Sequence, residues 1–362
     1  MVYKQVLCNY KNMRNILLLF VILSLYNCNS KVEKRDSSEI RLNEIITKVD
    51  STSAFNGIVG ILRKGEKPHI VYHGFKSPKE KSSKLDSSDY FHLASNSKLF
   101  TGFAILKVMN EFDLKHTDSI APFFPELHPE LQRVTIQQLA NHTCAIHDYF
   151  SLVDEPNQIT NKQALNLISQ LDSTVYEPGL RWGYTNSGYV LLSLLVERVT
   201  QRGYNDYLKQ EILSPLGITN AQLHPNKINA LKGYENNQLS QTLSITTGDA
   251  GIFITSQDLI EFFENQDKMS AHIDEAKMWS SPWRNEEWRY GFGWFFSEDT
   301  LGKFRAHSGK SSGFESYIRI SDTNDLMIFV LSNNVNGSAK LIRKKIIEEL
   351  IKTTHNKTYK KH

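Results

Sequence analysis

Segments typical of β-strands lie near both ends of this chain, and segments typical of helices fill the stretch between them. Near the start, GIVGILRKGEKPHIVYHGF predicts a hairpin, with apolar residues 58–62 and 70–72 on either side of a turn at 64–66. Near the end, YGFGWFF, FRAHSG, FESYIRI and DLMIFVLSNN predict successive strands. Helical patterns dominate from residue 95 to about residue 245. The pattern predicts one sheet assembled from distant parts of the chain, with a helical region inserted.

A helix is expected at each end of the folded region. Apolar residues recur at helical spacing from Glu39 to Val49, and again on one helix face near the end of the chain, at Leu341, Ile342, Ile346 and Leu350. We therefore predict a folded domain over residues 39–352, with the sheet drawn from about 39–94 and 246–352 and the helical region from about 95–245. Residues 353–362 are a polar, basic tail.

The first 28 residues have the composition of a leader. Lys11 and Arg14 precede an apolar run from Ile16 to Tyr26, which is short for a transmembrane helix and matches an export signal. Cys28 resembles the acylated cysteine of a bacterial lipoprotein, which would attach the chain to a membrane. Simple cleavage, an uncleaved anchor, a start at Met13 and a short buried helix are the alternatives. We expect export to the bacterial periplasm or cell envelope, with residues 29–38 as a tether.

The composition excludes two classes of protein. Hydrophobic residues make up 40% of the chain and charged residues 22%, so a sizeable core is available and extended disorder is not expected. The formal net charge is only +3, and part of it comes from the basic tail. No basic face for nucleic acid is therefore indicated.

The segment ASNSKLFTGF contains the one Ser-x-x-Lys sequence of the chain, at Ser95 and Lys98. If a helix begins near Ser95, Lys98 lies one turn further on the same face. Unpaired N–H groups and the positive end of the helix dipole favour an anionic oxygen there, and a neighbouring lysine could accept the serine proton. The alternative is an ordinary helix cap with a solvated lysine. The motif alone does not decide between the two.

Two further segments carry polar residues where loops and strands end. In EPGLRWGYTNSGYVLL, Tyr184 and Asn186 stand on a loop before a helix, where a phenol could serve as general base and an amide could orient the lysine or a substrate. Turn chemistry with a packed aromatic residue is the alternative. In FRAHSGKSSGF, the sequence His307-Ser308-Gly309 ends a strand-like run, and glycine permits a close backbone approach. A structural histidine is the alternative at that position.

The sequence contains two other candidate sites, both of them disfavoured. The sequence Gly309-Lys310-Ser311-Ser312-Gly313 fits G-x-S-x-G, in which Ser311 would be a nucleophile on a strand-to-helix elbow, but FESYIRI continues as a strand. A metal site from His142, His147 and Asp148 is disfavoured, because a five-residue histidine spacing does not align on one helix face and no H-E-x-x-H is present. Structural histidines are expected there.

Taken in order, the sequences Ser95-x-x-Lys98, Tyr184-x-Asn186 and His307-Ser308-Gly309 resemble those of the serine beta-lactamase and penicillin-binding protein superfamily. The branch they are most similar to is the class C beta-lactamase-related hydrolases, which include D-alanyl-D-alanine carboxypeptidases, D-aminopeptidases and esterases. TIQQLANHTCAIHDY, GDAGIFITSQDL and YGFGW also resemble family segments, so the resemblance covers about residues 40 to 350. It implies an α+β fold, in which an antiparallel sheet is flanked by the N- and C-terminal helices and a mostly helical region is inserted.

The resemblance also implies roles for single residues. Ser95 would be the acylated nucleophile, with Lys98 and Tyr184 sharing the proton transfers. Asn186 would hold Lys98 and the substrate, and His307, Ser308 and Gly309 would line the substrate site. The backbone N–H groups of Ser95 and Lys310 would form the oxyanion hole. Neither a metal nor an organic cofactor is implied.

One departure from the family pattern bears on the substrate. Class C beta-lactamases usually have Lys-Thr-Gly where this chain has His307-Ser308-Gly309, and a histidine near neutral pH is mostly uncharged. This favours a peptidase or esterase over a beta-lactamase, although Lys310 could restore a positive charge. We expect an exported serine hydrolase that acts on a small-molecule or peptide substrate, such as a peptidoglycan-derived peptide. A cell-wall peptide-binding protein without catalysis, or a weak beta-lactamase, is the alternative.

Overall fold

The strands of the protein come from both ends of the chain and the helices largely from its middle. The structure, a computed structural model, describes residues 41–81, 83–154, 158–223, 230–240, 245–285 and 287–359. The strands are β1 (Gly57–Arg63), β2 (His69–His73), β3 (Phe91–His92), β4 (Tyr234–Glu235), β5 (Gln238–Leu239), β6 (Phe253–Ile254), β7 (Ser281–Asn285), β8 (Trp288–Gly291), β9 (Trp294–Asp299), β10 (Gly302–Ser311), β11 (Phe314–Ser321), β12 (Leu326–Ser332) and β13 (Asn334–Val335).

Eight of these strands form one antiparallel sheet in the order β2-β1-β12-β11-β10-β9-β8-β7. The pairing of β1 with β12 joins the two ends of the chain, with Ile58 opposite Leu331 and Gly60 opposite Phe329. These central strands are buried along almost their whole length and rich in β-branched and other apolar residues, as expected of strands covered on both faces. The sheet therefore places β10, with its His-Ser-Gly sequence, three strands from β1.

Helices cover both faces of this sheet. The helix nearest the start of the described chain and the last one, α1 and α10, contact each other and the strands β2, β11 and β12, and the long helix α2 packs in the inserted region against α6 and α9. The α-helices are α1 (Leu42–Ser53), α2 (Ser97–Glu111), α3 (Pro129–Gln132), α4 (Ile136–Ala140), α5 (Asn161–Ser169), α6 (Asn186–Thr200), α7 (Tyr204–Tyr207), α8 (Ser256–Asn265), α9 (Ser270–Met278) and α10 (Ser338–Tyr359). A π-helical segment, Leu208–Leu213, continues α7.

Helix α2 is buried on all sides over its first ten residues and reaches solvent only near its C-terminal end. Leu99, Phe100 and Phe103 are at most 1% exposed, and each such side chain contributes about 1.5–3 kcal/mol by burial. A helix that is covered on every side over most of its length packs against neighbours all round, so α2 stands at the centre of the helical region. It is this rigid element that carries Lys98.

The structure confirms the α+β class and the assembly of the sheet from distant parts of the chain. The segment YGFGWFF, which was predicted as one strand, forms the end of β8 and the start of β9, because Phe292 and Gly293 take positive φ values of 49° and 90° and make a turn. Helices also continue beyond residue 245, so the large sheet resumes only at Ser281. The described residues from Arg41 onwards belong to one compact unit. Among the described residues no helix is long and apolar enough to cross a membrane.

Candidate active site

Ser95 lies in a single 3-10 turn, Ala94–Asn96, between β3 and α2. The α-helix itself begins two residues later than the serine, at Ser97. Ala94 holds a φ of 48°, a left-handed conformation that is uncommon for a residue with a β-carbon. The side chain of Ser316 on β11 secures the approach to this turn, because its Oγ donates a hydrogen bond of 2.6 Å to the Leu93 carbonyl. The sheet thus holds the serine turn in place.

Lys98 is fully buried and its ammonium group has three hydrogen-bond acceptors around it. Nζ lies 3.2 Å from Ser95 Oγ, 2.8 Å from Asn186 Oδ1 and 2.7 Å from the carbonyl oxygen of Asp249. Three acceptors match the three N–H bonds of an ammonium group, which is how a buried lysine avoids an unsatisfied charge. One of the three donor directions points at the serine oxygen.

Tyr184 approaches the same serine oxygen from the loop before α6. Its hydroxyl donates a hydrogen bond of 2.7 Å to Ser95 Oγ, and the residue is 37% exposed. The Lys98 Nζ atom lies 5.1 Å from the centre of the Tyr184 ring. The structure therefore brings together three side chains from separate motifs, of which Tyr184 is the most exposed, Ser95 is partly exposed and Lys98 is buried.

Asn186 is the first residue of α6, and a carboxylate fixes the orientation of its amide. Asp148 Oδ2 accepts hydrogen bonds of 3.0 Å from Asn186 Nδ2 and of 3.2 Å from the Asn186 backbone N–H. Because a carboxylate only accepts, the amide nitrogen must face Asp148 and the amide oxygen must face Lys98. The Asp148 carboxylate thereby decides which end of the amide the lysine meets.

Asp249 contributes its backbone to Lys98, and a buried network holds it. Its carboxylate accepts a hydrogen bond of 2.7 Å from the Tyr149 hydroxyl, which also lies 2.8 Å from Thr246 Oγ1. Burial is the main cause that raises the pKa of Asp249, with Lys98 opposing the rise. Sequence reasoning missed this role and that of Asp148, although Asp148 stands inside HTCAIHDY, a segment already noted as family-like.

His307 lies on β10 with its ring buried against Tyr290 and Phe295. Its Nδ1 lies 2.8 Å from the Ser308 carbonyl, which only accepts, so the proton is on Nδ1. Nε2 is left as an acceptor facing the Tyr290 hydroxyl at 3.3 Å. Burial, with a smaller contribution from the charge of Lys98, lowers the pKa of His307 to about 3. The imidazole is therefore neutral at physiological pH.

Ser308 and Gly309 face opposite sides of the sheet, as neighbours on a strand must. Ser308 Oγ accepts a hydrogen bond of 2.6 Å from Arg343 on α10. Gly309 faces the serine turn, and a β-carbon there would lie 2.2 Å from the Leu93 carbonyl oxygen. Only glycine allows the turn to approach β10 this closely. Lys310 follows with an exposed side chain, in the stretch of β10 beyond Ala306, where the pairing with β9 ends.

Two features of the structure contradict the hypothesis that Ser311 is a nucleophile on a strand-to-helix elbow. Ser311 ends β10 and is followed by β11, so no strand-to-helix turn is present. Its Oγ lies 2.7 Å from His92 Nδ1, while His92 Nε2 accepts a hydrogen bond of 3.3 Å from the Gly251 N–H. The proton of His92 must therefore sit on Nδ1, facing Ser311, and a nitrogen that already carries a proton cannot accept one from the serine.

The histidines of the disfavoured metal site lie in different surroundings. His142 is buried in a cluster of aromatic rings, with Tyr184 at 4.3 Å and Tyr290 at 4.6 Å between ring centres, whereas His147 is exposed. The Thr185 N–H donates to His142 Nδ1 at 3.4 Å. In the part of the chain that the structure describes, no group of three or more His, Cys, Asp or Glu side chains is arranged to hold a metal ion.

Comparison with known proteins identifies the family. The profile of the Beta-lactamase family matches residues 42–350, which include every residue of the site described above. The chain belongs to the beta-lactamase family. Penicillin-binding protein 4* of Bacillus subtilis is 29% identical over 314 residues, covering 77% of this chain and 68% of the relative. Protein flp of Staphylococcus aureus strain MRSA252 is 28% identical over 278 residues, which cover 70% of this chain and 54% of flp, so the chain spans about half of that relative.

Solved structures share the fold of this beta-lactamase family member. A penicillin-binding protein from Bacillus halodurans superposes with a TM-score of 0.74 at 19% identity, covering 85% of this chain and 99% of that one. The D-amino acid amidase of Ochrobactrum anthropi SV3 gives a TM-score of 0.74 at 17% identity, covering 88% and 99%. The fold is therefore that of the family of serine beta-lactamases, penicillin-binding proteins and related serine hydrolases.

Proposed function

We propose that the protein hydrolyses an amide or ester bond through an acyl-enzyme formed on Ser95. The observation that carries the proposal is the convergence of the Lys98 ammonium, at 3.2 Å, and the Tyr184 hydroxyl, at 2.7 Å, on one serine oxygen. Ser95 is neither a buried cap nor a freely exposed side chain, and Ser, Lys and Tyr are the residue types that a base-assisted nucleophile requires.

In the proposed reaction, Ser95 Oγ attacks the substrate carbonyl carbon and its proton passes to the Tyr184–Lys98 pair. In the reactive form the pair has lost one proton, so that the Tyr184 oxygen is a phenolate and accepts the Ser95 proton as the attack begins. The neighbouring Lys98 ammonium stabilises the negative charge of that phenolate. The tetrahedral intermediate collapses, the leaving group takes the proton back, and the ester on Ser95 remains. Water then attacks this ester, and the same pair accepts and returns a proton.

Stabilisation of the oxyanion is assigned to the backbone N–H groups of Ser95 and Lys310. Gly309 supports this arrangement, because the lack of a β-carbon lets β10 approach the Leu93 carbonyl at the serine turn. The pairing of β10 with β9 ends at Ala306 opposite Phe295, so the stretch from Ser308 to Lys310 lies beyond the last paired residue on that side. An extended substrate could align with this stretch of β10. Removing one oxyanion donor typically costs about 10²–10³ in kcat.

The substrate proposed is a peptide or ester with a D-configured residue, such as a peptidoglycan-derived peptide. A neutral His307 adds no charge for a substrate carboxylate, whereas a lysine in its place would. This supports a D-alanyl-D-alanine carboxypeptidase-like or esterase-like activity over an efficient beta-lactamase. The name of one structural neighbour, D-amino acid amidase, is consistent with D-configured amides as the class to test first. No cofactor enters this scheme.

Export also remains a proposal. The predicted leader and Cys28 lie outside the described residues. Acylation at Cys28 would attach the hydrolase to a membrane of the cell envelope, where peptidoglycan peptides occur. Growth of an expressing bacterium with radiolabelled palmitate, comparing the wild type with Cys28→Ala, tests this. Label in both proteins or in neither contradicts acylation of Cys28.

The catalytic assignment is tested by covalent labelling of the full chain. The protein is treated with a fluorophosphonate, and the modified serine is located by peptide mass spectrometry in the wild type, Ser95→Ala and Ser311→Ala. We expect label on Ser95 that is lost in the first variant and kept in the second. Turnover of D-alanyl-D-alanine peptides, 4-nitrophenyl acetate and benzylpenicillin is then measured with the same three proteins.

Each result leads to a different conclusion. Label on Ser311 would overturn the assignment in favour of the elbow site. Absence of both label and turnover in a folded sample would support the alternative, a cell-wall peptide-binding protein of this fold, and peptidoglycan binding would be measured next. Faster hydrolysis of benzylpenicillin than of the peptides or the ester would contradict the substrate preference drawn from His307.

A further inference from the structure

A groove of about 550 Å³ lies beside β10, on the side of the sheet covered by α10. Its floor is aromatic, with Trp283, Trp288, Phe295 and Phe304 among the lining residues. Its end towards the active site is formed by His307 and Ser308. A concave, mostly apolar space of this size that ends in polar groups is the usual form of a small-molecule site.

Positive charges line the groove on the α10 side. Lys340, Arg343, Lys344 and Ile347 follow one another at helical spacing and share one helix face towards the groove. The acidic lining residues already have partners: Asp299 accepts two hydrogen bonds, of 2.6 and 2.8 Å, from Arg319, and Glu348 forms an ion pair with Lys345 at 2.9 Å.

Two of these cations remain available for a ligand. Lys344 lies 3.9 Å from Glu348, whereas Arg343 donates to the neutral Ser308 hydroxyl and stacks over the Tyr317 ring. Lys340 is exposed and forms no ion pair with any described residue. The half-buried Glu315 on β11 does not line the groove; burial raises its pKa, and the charges of Arg343 and Lys340 oppose that rise. The rim of the groove thus favours an anion.

A row of aromatic rings connects the groove with the proposed nucleophile. Trp182 lies 6.1 Å from the ring of Tyr184, whose hydroxyl contacts Ser95. On its other side, Trp182 lies 5.6 Å from Trp283, and the Trp283 ring is 5.6 Å from that of Trp288 inside the groove. Rings at these separations form a continuous apolar surface. A molecule held at Ser95 can therefore extend along Trp182 and Trp283 towards the groove.

We propose that the groove selects substrates that carry an aromatic or bulky apolar group ending in a carboxylate. The apolar body lies on Trp283 and Trp288, and the carboxylate meets Lys340 and Arg343 at the α10 rim. This inference rests on the proposed function, since it names the substrate class of the same site.

The first experiment measures binding without catalysis. Ligand-observed NMR titrations give the Kd of 3-phenylpropanoate and of its neutral analogue 3-phenylpropanamide for the full chain. We expect the acid to bind more tightly than the amide. Trp288→Ala should weaken both ligands, by about tenfold, through loss of aromatic contact. Lys340→Gln should weaken the acid alone, by about two- to fivefold, as expected for an exposed ion pair.

Lys115→Gln is the matched control, because it removes the same charge from an exposed lysine on the loop after α2. It should leave both values of Kd unchanged. Trp288→Leu repeats the aromatic test with a larger side chain, and circular dichroism establishes that each variant is folded. Absence of binding, or equal effects of both lysine variants on the acid, would overturn the proposal.

The second experiment links the groove to turnover. Hydrolysis of the 4-nitrophenyl esters of acetic acid, 3-phenylpropanoic acid and 3-(4-carboxyphenyl)propanoic acid is compared, each kcat/KM being divided by the hydroxide-catalysed rate of the same ester. The ratio for the carboxyphenyl ester over the acetate should exceed one and should fall in Lys340→Gln but not in Lys115→Gln. Hydrolysis with ratios that neither variant changes refutes this inference and leaves the proposed function intact. Hydrolysis of none of the esters counts against the proposed function, while the binding titrations still decide the groove.

Discussion

Replacing Asp148 by asparagine should disable Lys98 without touching the three reacting groups. Asp148 Oδ1 accepts a hydrogen bond of 3.1 Å from the Phe150 N–H, which would keep the oxygen of the new amide in that position. The new NH₂ group would then face Asn186, whose backbone N–H and Nδ2 both point at Asp148 Oδ2. Hydrogen-bond donors of both residues would then face each other, with no acceptor between them. The Asn186 side chain can relieve this only by turning its amide, which presents Nδ2 instead of Oδ1 to Lys98.

The size of the effect follows from the contact that is lost. The hydrogen bond of 2.8 Å from Lys98 to Asn186 Oδ1 involves a charged donor, and such bonds contribute about 1.5–3 kcal/mol. If that energy holds Lys98 in its reactive position, kcat should fall by about 10- to 150-fold with a smaller change in KM. The free energy of unfolding should fall by about 1–3 kcal/mol, because the Asn186 backbone N–H loses its acceptor.

Hydrolysis of 4-nitrophenyl acetate, followed by absorbance, and urea unfolding measure the two effects. Asp154→Asn is the control, since it makes the same chemical change at an exposed position six residues further along the chain. A kcat within about threefold of the wild type in a folded Asp148→Asn protein would refute the reasoning, because that factor is worth less than the weakest charged hydrogen bond.

Three further outcomes are expected. Tyr184→Phe should lower kcat at least about 100-fold in the same ester assay, with little change in thermal stability because the ring keeps its place; wild-type turnover would contradict the proton-transfer role. Gly309→Ala should destabilise the fold by about 1–3 kcal/mol in urea unfolding, because the new β-carbon meets the Leu93 carbonyl, and unchanged stability would contradict this contact. Burial lowers the pKa of His92 to about 4 and that of His307 to about 3, from 6.5, so the unfolded chain takes up protons first as the pH falls. The free energy of unfolding should therefore be constant above about pH 7 and fall by about 2 kcal/mol per histidine by about pH 5, which urea unfolding at several pH values checks; a stability that rises on acidification would refute this.

The features of the fold that could be predicted were those carried by local patterns. Continuous apolar runs indicated β1 and β12, alternation indicated β11, and the turn near Gly65 indicated the first hairpin. The break between β8 and β9 could not be predicted from the pattern. Phe292 takes a positive φ there, a conformation that usually indicates glycine or asparagine and not phenylalanine. Helices α8 and α9 also lie in the region that was predicted to form the sheet. A short amphipathic helix between strands changes the overall pattern of such a region too little to shift its predicted boundary.

The residues of the candidate site likewise include some that short motifs predicted and some that only the structure identifies. Ser95, Lys98 and Tyr184 could be named because each belongs to a short ordered motif, and the structure brings their side chains within hydrogen-bond distance. The roles of Asp148 and of the Asp249 carbonyl could not be named, because an acceptor for a buried N–H is recognisable only when the donor is seen beside it. The aromatic row from Trp182 to Trp288 is another such feature. Its members come from two distant segments, and no spacing in the sequence relates them.

The electrostatics of the site follow from the position that His307 occupies. An ammonium group at this strand position would lie near Lys98, and two buried like charges disfavour each other. His307 avoids this conflict, because burial and the charge of Lys98 together keep its imidazole neutral. The same two causes act on His142, whose pKa also lies well below its ordinary value. Neither histidine therefore carries a positive charge beside Lys98. The positive charge next to Ser95 Oγ and the Tyr184 ring is that of the Lys98 ammonium group. In the proposed binding mode, the charge that a substrate carboxylate needs comes instead from outside the buried site, from Lys340 and Arg343 on α10. Recognition and proton transfer are thus assigned to different cations, which is why the variants of Lys340 should change the choice of substrate while those around Lys98 should change the rate.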